Sequence, residues 1–475
     1  MHRLFYDKGF WRTAVKLAIP ISLQNMLISS FTLADTLFVS QLGDVSLSAV
    51  GMMGQWCWLL NMILIGVSSG TSVFVAQYWG VKNIKKINMT CGIATASAIL
   101  VSGVFTVISL LMPEFVVNIF NNDANVISEG TSYLLIVCLS YPAVAITNIF
   151  SSVLRSVENV KLPMYVSVFT TFLNIFLDYG MIFGRLGFSY MGIKGAALAT
   201  TISAWLGVLL ILLISFLQKN ILFAPVKNTF GFKLSDIKVF YKKALPVIFN
   251  ETMWGAGTFI FNIIFGHMGY EYFAAITILR SFENIAFVFI IGLCNACSIM
   301  VGKSIGKGKI ERGIDDTKRF LMIFPFVSLI IAVLIYVFRP ELIGIFNLND
   351  NISEVTLNSA MSIMAFYAFE FTIRQIPFLM IVGIFRSGGD TVTGVKYDLF
   401  SLWLLSIPAT LISVYILKAP FTVAFAVMYI FEDYVKIILC IKYYKSLKWV
   451  KPLTVEGKAA LSDYLQQKGM KNAKR

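Results

Sequence analysis

Long runs of apolar residues alternate with short polar connections along nearly the whole of this chain. An α-helix needs about 20 apolar residues to cross the hydrocarbon core of a bilayer. The apolar runs have this length, and the sequence therefore predicts an all-α membrane protein with twelve transmembrane helices. Hydropathy and flanking charges place the spans near residues 14–40, 46–78, 90–112, 127–153, 162–184, 193–217, 242–266, 272–302, 320–338, 353–384, 396–417 and 421–444.

The second half of the chain repeats the pattern of the first half. Pro20 aligns with Pro246 at an offset of 226 residues, and this offset persists without a gap. Further pairs at this offset are Ala18 and Ala244, Gly43 and Gly269, Gly66 and Gly292, Gly80 and Gly306, and Ile119-Phe120-Asn121 with Ile345-Phe346-Asn347. Each copy has an even number of spans, so both have the same orientation. We expect two pseudo-symmetric six-helix lobes around a central cleft.

The polar connections set the predicted domain boundaries. The longest one, from Gln218 to Phe240, separates the two bundles. We expect an amino-terminal six-helix lobe at 1–220, a cytoplasmic inter-lobe linker at 221–240, a carboxy-terminal six-helix lobe at 241–446 and a cytoplasmic tail at 447–475. The tail is polar and rich in lysine, which predicts a solvated appendage.

Composition agrees with a lipid environment and gives the predicted orientation. Hydrophobic residues make up 57% of the chain and charged residues 13%, and the mean hydropathy is +0.78, far from the values of soluble domains. The net charge of +14 comes from lysines and arginines in alternate connections, not from one continuous stripe. Basic connections face the cytoplasm, so we expect a multi-pass protein of the inner (plasma) membrane with both termini cytoplasmic. No nucleic-acid partner is predicted.

Acidic residues within the spans are the candidates for function, because ionisable groups at bilayer depth cost a few kcal/mol. Several have a cation three or four residues away on the same helix, which favours structural pairing. These pairs are Arg280 with Glu283, Glu370 with Arg374, and Glu432 with Lys436. Asp35, Asp178 and Glu251 have no such cation.

Asp35 and Asp178 are predicted to share one pocket. Counting residues from the outer ends of their helices puts Asp35, Asp178 and Thr200 roughly 8–10 Å below the outer edge of the hydrocarbon. Asn174 lies one turn from Asp178 on the same helix face. Carboxylate, amide and hydroxyl oxygens suit a bare alkali cation, and two carboxylates can equally share and release a proton.

The repeat separates these acids from the scaffold. Asp35 aligns with Phe261, and Glu251 aligns with Asn25. At the later offset of 231, Asp178 aligns with Ala409. The scaffold is duplicated and the acids are not, which favours a role in function over a role in holding the fold.

Several segments together give the chain a family likeness. They are Leu17 to Pro20, Ala34 to Val39, Gly43, Ala49 to Gly51, Leu154 to Ser156, Asn174 with Asp178, Gly195 to Thr200, and Phe385 to Thr391. In order and spacing they resemble the multidrug and toxic compound extrusion (MATE) transporters over nearly the whole chain. The resemblance implies two six-helix lobes that alternate between outward-open and inward-open states, with sodium or proton influx driving the export of drug-like, often cationic compounds.

The resemblance also implies site residues. The family's amino-terminal cation site maps onto Asp35, Asn174, Asp178 and either Thr200 or Thr201, and the first three would be the ligands if the ion is sodium. Glu251 matches an acid that many relatives carry on the seventh helix. Relatives that bind the ion in the carboxy-terminal lobe also have an acid on the tenth helix, where this chain has Gln375. This departure makes the branch resembling DNA-damage-inducible protein F the closer likeness.

The leading hypothesis is a monomeric cation-coupled antiporter, embedded in the lipid bilayer, that exports small drug-like molecules by alternating access and needs no cofactor. A flippase for lipid-linked saccharides, built on the same broad scaffold, is the alternative, but it would want a more basic cavity. A membrane-embedded enzyme would need reactive groups. The two histidines, His2 and His267, have no nucleophile or metal-ligand partner at a recognisable spacing, so no enzymatic activity is predicted. The unequal halves disfavour a channel.

Overall fold

Twelve long helices account for most of the chain in the computed structural model, which describes residues 7–120, 123–346 and 353–467. A shorter helix, α13, follows them. The helices are α1 Lys8–Ser40, α2 Asp44–Gly80, α3 Ile84–Leu111, α4 Ala124–Ser156, α5 Lys161–Phe183, α6 Ile193–Leu217, α7 Leu234–Met268, α8 Tyr270–Gly306, α9 Ile310–Phe346, α10 Glu354–Phe385, α11 Thr393–Ile416, α12 at 421–445 and α13 Val455–Gln467. The all-α prediction is confirmed, and each predicted span overlaps one of α1 to α12.

Within the described residues, ten of the twelve long helices are both long and apolar enough to cross a membrane. The other two, α7 and α12, have polar residues in the middle of their apolar stretch. Glu251 lies in α7, and Glu432, Asp433 and Lys436 lie in α12. In both helices, therefore, ionisable groups interrupt the apolar stretch.

Helix α9 is longer at both ends than the predicted span of 320–338. It begins at Ile310, and its first turns carry charged side chains. Lys318 pairs with Asp315 at 2.8 Å, and Arg319 pairs with Asp316 at 2.8 Å, each three residues apart on one helix face. Hydropathy reports only the lipid-crossing part of a helix, whereas the backbone hydrogen bonds continue through the polar turns.

Internal contacts divide the chain into two compact units. The amino-terminal unit contains Leu23–Val75 and Asn83–Ile248. The carboxy-terminal unit contains the chain from Phe249 onward together with the chain up to Ser22 and the segment Ala76–Lys82. These boundaries report packing, whereas the predicted boundaries at 220, 240 and 446 follow the sequence repeat and stay a prediction. Of the predicted segments, the start of the chain before residue 7, Asn121, Asn347 and the last eight residues lie outside the described residues.

Glycines on α2 and α8 are in close contact with the amino-terminal parts of α7 and α1, respectively. A Cβ atom on Gly66 would lie 2.5 Å from the Cα atom of Ile248 within the amino-terminal unit. In the carboxy-terminal unit, a Cβ atom on Gly292 would collide with the Ser22 hydroxyl and lie 2.8 Å from the Ala18 carbonyl oxygen. The two contacts are related by the 226-residue offset. Each glycine therefore permits the close helix packing that small residues provide in membranes.

The carboxy-terminal segment is docked on its unit, so the prediction of a solvated appendage is wrong for the described part. The Trp449 side chain is 0% exposed and stacks on Tyr444, with ring centroids 5.9 Å apart. The Thr454 hydroxyl donates a hydrogen bond to the Gly306 carbonyl oxygen at 2.6 Å. The lysines of this segment alternate with residues that pack. The mean hydropathy of the segment, on which the prediction relied, does not show this alternation.

Buried Gln77, at the end of α2, joins this docked segment to the loop after α10. Its Nε2 donates to the Ser387 carbonyl oxygen at 2.9 Å, and its Oε1 accepts from the Leu453 backbone N–H at 2.7 Å. Both ends of the amide are satisfied, as a fully buried polar side chain requires.

Helices α10, α11 and α12 are irregular. They contain wider π-helical turns at Leu379–Phe385, Phe400–Ser406, Ile412–Ile416 and Ile430–Tyr434. Such turns are rare and frequently occur at functional sites. The last of these turns contains the adjacent acids Glu432 and Asp433.

Candidate functional site

Asn174 and Asp178 lie one turn apart on α5, and both are buried, at 1% and 0% exposure. In the amide orientation that satisfies both neighbours, the Asn174 nitrogen donates to Asp178 Oδ2 at 2.6 Å. The Asn174 oxygen accepts from the Thr200 backbone N–H at 3.2 Å. The same-face spacing on α5 therefore places the two side chains in contact, and α6 closes one side of the pocket.

Asp35 on α1 belongs to the same electrostatic environment. Its carboxylate interacts with that of Asp178, and both interact with Tyr133 on α4. Asp35 Oδ1 and Asp178 Oδ1 are buried and have no hydrogen-bond partner among the described residues. Within the amino-terminal unit the two carboxyl groups are therefore near enough to influence each other's charge, and each has one oxygen without a hydrogen-bond partner among the described residues.

The two threonine candidates differ in what they contact. The Thr201 hydroxyl donates to the Ala197 carbonyl oxygen at 2.8 Å, with the Ile136 carbonyl oxygen also in reach at 3.1 Å. The hydroxyl proton is therefore used by the backbone. Thr200 meets the pocket through its backbone N–H, which bonds to Asn174. Of the two, Thr200 contacts the predicted site directly.

Tyr133 is a site neighbour that sequence reasoning missed. It is buried at 6% exposure and lies on α4, four residues after Glu129. Nothing in its sequence spacing connects it to Asp35 or Asp178, because the three residues lie on three different helices. Only the packing of helices identifies this phenol as a neighbour of the two carboxyl groups.

The pocket offers two carboxylates and one amide as oxygen ligands. Hard oxygen ligands fit an alkali cation, and unsatisfied carboxylate oxygens equally fit a bound proton. No group of three His, Cys, Asp or Glu side chains in the described part of the chain is arranged to hold a metal ion.

Glu251 on α7 has a cation that its own helix does not supply. Arg386 Nη1 lies 2.8 Å from Glu251 Oε1 and donates a hydrogen bond to it. Gln375 on α10 is 0% exposed, and neither end of its amide has a hydrogen-bond partner among the described residues. Among the described residues, no hydrogen bond joins Glu251 to Gln375. The structure therefore does not bring these two predicted secondary residues together as one site.

The intramembrane pairs expected from helical spacing are found only in part. Lys436 Nζ contacts Glu432 Oε1 at 3.0 Å, as the spacing predicts. Arg374, in contrast, lies 3.7 Å from Asp433 and 3.9 Å from Glu432 on α12, and the described residues contain no ion pair between it and Glu370. Glu283 accepts a hydrogen bond from the Tyr367 hydroxyl at 2.6 Å. For Arg374 and Glu283, contacts with a neighbouring helix therefore replace the predicted contacts along their own helix.

Comparison with known proteins identifies the family. The family model described as MatE matches residues 20–180 and 246–412, which is more than half of the chain and one match in each repeat. A second model, described as the lipid II flippase MurJ, matches residues 128–277.

Curated relatives match over most of their length. The chain is 27% identical over 401 residues to the "Probable multidrug resistance protein NorM" of Thermotoga maritima, covering 84% of this chain and 85% of that protein. It is 24% identical to the "Uncharacterized transporter YisQ" of Bacillus subtilis, covering 94% of this chain and 96% of that protein.

Solved structures show the same fold. A MOP superfamily transporter from Pyrococcus furiosus superposes with a TM-score of 0.83 at 19% identity, covering 92% of this chain and 96% of the other. The bent form of the Vibrio cholerae MATE transporter VcmN gives a TM-score of 0.81 at 16% identity, covering 96% and 98%. With the family match in both repeats and the shared fold, this chain belongs to the multidrug and toxic compound extrusion (MATE) family of membrane transporters.

Proposed function

We propose that this protein is a secondary active multidrug efflux transporter that exports small, often cationic and amphipathic compounds by antiport with sodium or protons. Membership of the MATE family and similarity to multidrug resistance proteins support export as the activity. The observation that carries the ion coupling is the pair of carboxyl groups of the half-buried Asp35 and the fully buried Asp178, each with a buried oxygen that has no hydrogen-bond partner among the described residues, beside Asn174.

The coupling follows from charge. With neither proton nor cation bound, two neighbouring carboxylates in a membrane-embedded pocket repel each other and lack the hydration that would stabilise them. A proton or a sodium ion removes that penalty in the state whose pocket is closed around it. To move an equilibrium between two states from one extreme to the other, the ion must favour one state by about 5.5 kcal/mol. Desolvated carboxylates are groups on which a differential of this size can arise.

The test is drug efflux from proteoliposomes under separately imposed sodium and proton gradients. Asp35→Asn and Asp178→Asn keep the side-chain size but remove the ability to bind and release a proton or to neutralise sodium. We expect each variant to reduce efflux of a cationic dye to the level of protein-free liposomes under both gradients. The gradient that drives the unaltered protein identifies the coupling ion.

Glu114→Gln is the matched control. Glu114 is an exposed acid near the end of α3, so its variant changes one charge without touching the pocket and is expected to export normally. Normal export by both aspartate variants, at equal protein incorporation, would refute the assignment.

The second candidate is a flippase for lipid-linked saccharides, which the match to the lipid II flippase model favours. That match covers less than a third of the chain. The buried guanidinium groups that would bind a pyrophosphate already have carboxylate neighbours: Arg386 has Glu251, and Arg374 has Glu432 and Asp433. Reconstituted protein that moves a fluorescent lipid-linked saccharide across the bilayer, but no dye, would reverse the ranking.

We further propose that the transporter works as a monomer, that neither activity nor folding needs a cofactor, and that both termini face the cytoplasm. The orientation is supported by the lysines and arginines of alternate connections. Protease added to sealed inside-out vesicles, which present the cytoplasmic face, is expected to cleave the polar connection 218–240, whereas protease added to right-side-out cells is not.

A further inference from the structure

A group of ionisable side chains lies inside the carboxy-terminal unit. We call it the α10–α12 ionic cluster. Its members are Glu370 and Arg374 on α10, Asp398 on α11, and Glu432, Asp433 and Lys436 on α12. Three of its carboxyl side chains are almost fully buried, with residue exposures of 0% for Glu370, 4% for Glu432 and 1% for Asp433.

Lys436 is the centre of the cluster. Its ammonium group lies 3.0 Å from Glu432, 3.3 Å from Asp398 and 3.5 Å from Asp433. Asp398 also accepts a hydrogen bond from Asn250 Nδ2 at 3.1 Å. Glu432 and Asp398 therefore each have a close cation or donor. Asp433 has only the longer contacts to Lys436 and to Arg374.

The cluster has more carboxyl groups than cations. Four carboxyl groups face two cations, Arg374 and Lys436. The next charged neighbours, Glu283 and Arg280, are one acid and one base and do not change the balance. The other titratable neighbours, Tyr429 and Tyr434, are phenols and neutral. Burying charges without compensation is strongly unfavourable. The cluster is therefore not stable with all four carboxyl groups ionised.

Glu370 is the member without a partner. Neither of its oxygens has a hydrogen bond, and no ion pair reaches it within the described residues. Its strongest charge interaction is with Asp433, and the Tyr434 hydroxyl is a neighbour that does not reach hydrogen-bonding geometry. Both oxygens of Asp433 also lack a hydrogen bond there. Arg374, one turn after Glu370 on α10, lies 3.7 Å from Asp433 on α12. The two buried carboxyl groups therefore lie on neighbouring turns of packed helices, an arrangement in which one proton can be held between them.

Two further features agree with an exchangeable proton. Asp433 lies in the π-helical turn Ile430–Tyr434, and turns of this kind frequently mark functional sites. A small cavity lined by Asn250, Trp254, Asp398 and Glu432 reaches the cluster from its α7 side, and its size is on the scale of a water molecule. A water molecule held there would contact Asp398 and Glu432, the two members of the cluster that line the cavity.

We propose that the Glu370–Asp433 pair is a proton-binding site of the carboxy-terminal unit, separate from the Asp35–Asp178 pocket. A proton satisfies the cluster better than a metal ion, because the Lys436 ammonium group already occupies the point between Asp398, Glu432 and Asp433. The proposal does not depend on the coupling role of Asp35, and the two can fail independently.

Infrared difference spectroscopy of the full-length protein tests it, because a protonated carboxyl group has a C=O stretch that a carboxylate lacks. The background is the double variant Asp35→Asn/Asp178→Asn, which removes the other carboxyl pair. We expect a buried, protonated carboxyl band at neutral pH in this background. Adding Glu370→Gln or Asp433→Asn is expected to abolish or shift the band. Glu283→Gln, which removes a nearby acid already hydrogen-bonded to Tyr367, is the control and should leave it unchanged.

Absence of the band in the background variant across the accessible pH range would overturn the proposal, as would a band that survives both substitutions unchanged. If Glu370→Gln does not fold, Glu370→Asp keeps the acid on a shorter side chain. It should retain a protonated carboxyl band at an altered frequency, and an unaltered frequency would count against the assignment.

Discussion

Glu251 and Arg386 show how one contact changes the interpretation of a residue. Glu251 lies in α7 with no cation at helical spacing, and this isolation made it a candidate for ion coupling. In the folded protein its carboxylate accepts a hydrogen bond from Arg386 at 2.8 Å, and the Arg386 side chain is only 4% exposed. Burial of a guanidinium group without a carboxylate is costly, so a large part of the role of Glu251 is to neutralise Arg386.

Glu251→Gln is therefore expected to destabilise the protein by about 3–5 kcal/mol, the range for breaking a buried ion pair from one side. Unfolding in mixed micelles measures the change. The double variant Glu251→Gln/Arg386→Gln removes the uncompensated charge and should recover part of the lost free energy of unfolding. If the single variant is as stable as the unaltered protein, the ion pair does not hold this part of the structure.

Much of the candidate site could be predicted from the sequence, because its members follow rules of spacing and depth. Asn174 and Asp178 are four residues apart on one helix, and Asp35 and Thr200 were expected at the same depth. That these side chains bind the coupling ion stays a prediction. Tyr133 and the Arg386 contact of Glu251 could not be predicted, since they depend on which helix faces which. Asp433 could have been noticed, because it adjoins Glu432 and precedes Lys436 by three residues.

At the scale of elements, the docked carboxy-terminal segment depends on Asp390 in the loop after α10. Lys451 Nζ and the Thr393 hydroxyl each donate to Asp390 at 2.8 Å, and the Tyr443 hydroxyl also donates to it. Burial alone would raise the pKa of Asp390, but the hydrogen bonds from Lys451, Tyr443 and Thr393 outweigh it and hold the pKa below its ordinary value. The ionised carboxylate is therefore the form that holds the segment.

The sign of the pH dependence follows from that lowered pKa. A carboxyl group whose pKa is lower in the folded state contributes stability above its unfolded pKa of about 3.9, and the contribution is lost as the pH falls through the folded value. We expect Asp390→Asn to loosen residues 447–457 at pH 7 by about 1–3 kcal/mol, the cost of leaving buried donors without their acceptor. Hydrogen–deuterium exchange of that segment measures the loosening.

The comparison between the Asp390→Asn variant and the unaltered protein should depend on pH. The difference in exchange is expected to be full at neutral pH and to vanish in strong acid, where the unaltered carboxyl is also protonated. A difference that is constant with pH would mean that Asp390 acts through its shape and not through its charge.

Element ends and tails were the least predictable part of the fold. The apolar runs predicted all twelve long helices, since crossing a bilayer demands a continuous apolar stretch. They could not predict that α9 begins at Ile310 or that Trp449 is buried, because neither feature depends on average hydropathy. Trp449 itself was the available signal, since a large apolar ring in a lysine-rich segment gains free energy by packing.

For the molecule as a whole, Gly66 and Gly292 make equivalent helix contacts at equivalent positions of the sequence repeat. Gly66 receives Ile248 of α7 within the amino-terminal unit, and Gly292 receives Ala18 and Ser22 of α1 within the carboxy-terminal unit. Ser22 and Ile248 are themselves 226 residues apart. Two contacts of the same kind have therefore been retained at equivalent positions after duplication.

Gly66→Ala and Gly292→Ala are each expected to lower the free energy of unfolding by about 1–3 kcal/mol, the usual cost of adding volume to a packed contact. At both positions the added methyl group would meet backbone atoms at 2.5–2.8 Å, which cannot move aside as a flexible side chain can. Thermal unfolding of the purified protein, followed by loss of monomer in size-exclusion chromatography, measures the effect.

Gly103→Ala is the control for these two variants. Gly103 lies within α3, and an added Cβ atom would meet nothing within 4 Å. Alanine is the better helix former by up to about 1 kcal/mol, so this variant should be as stable as the unaltered protein or more so. Equal behaviour of all three variants would show that the close contacts on α2 and α8 do not limit stability.

The contacts of Gly66 and Gly292 also restrict how the gene can be divided. A polypeptide that stops in the polar connection 218–240 would include Gly66 but not Ile248, and its complement would include Gly292 but not Ser22. Neither fragment would contain the helix turn that covers its own groove. Each half of the chain therefore depends on the other half for this turn, as two subunits of a symmetric dimer would, but within one polypeptide.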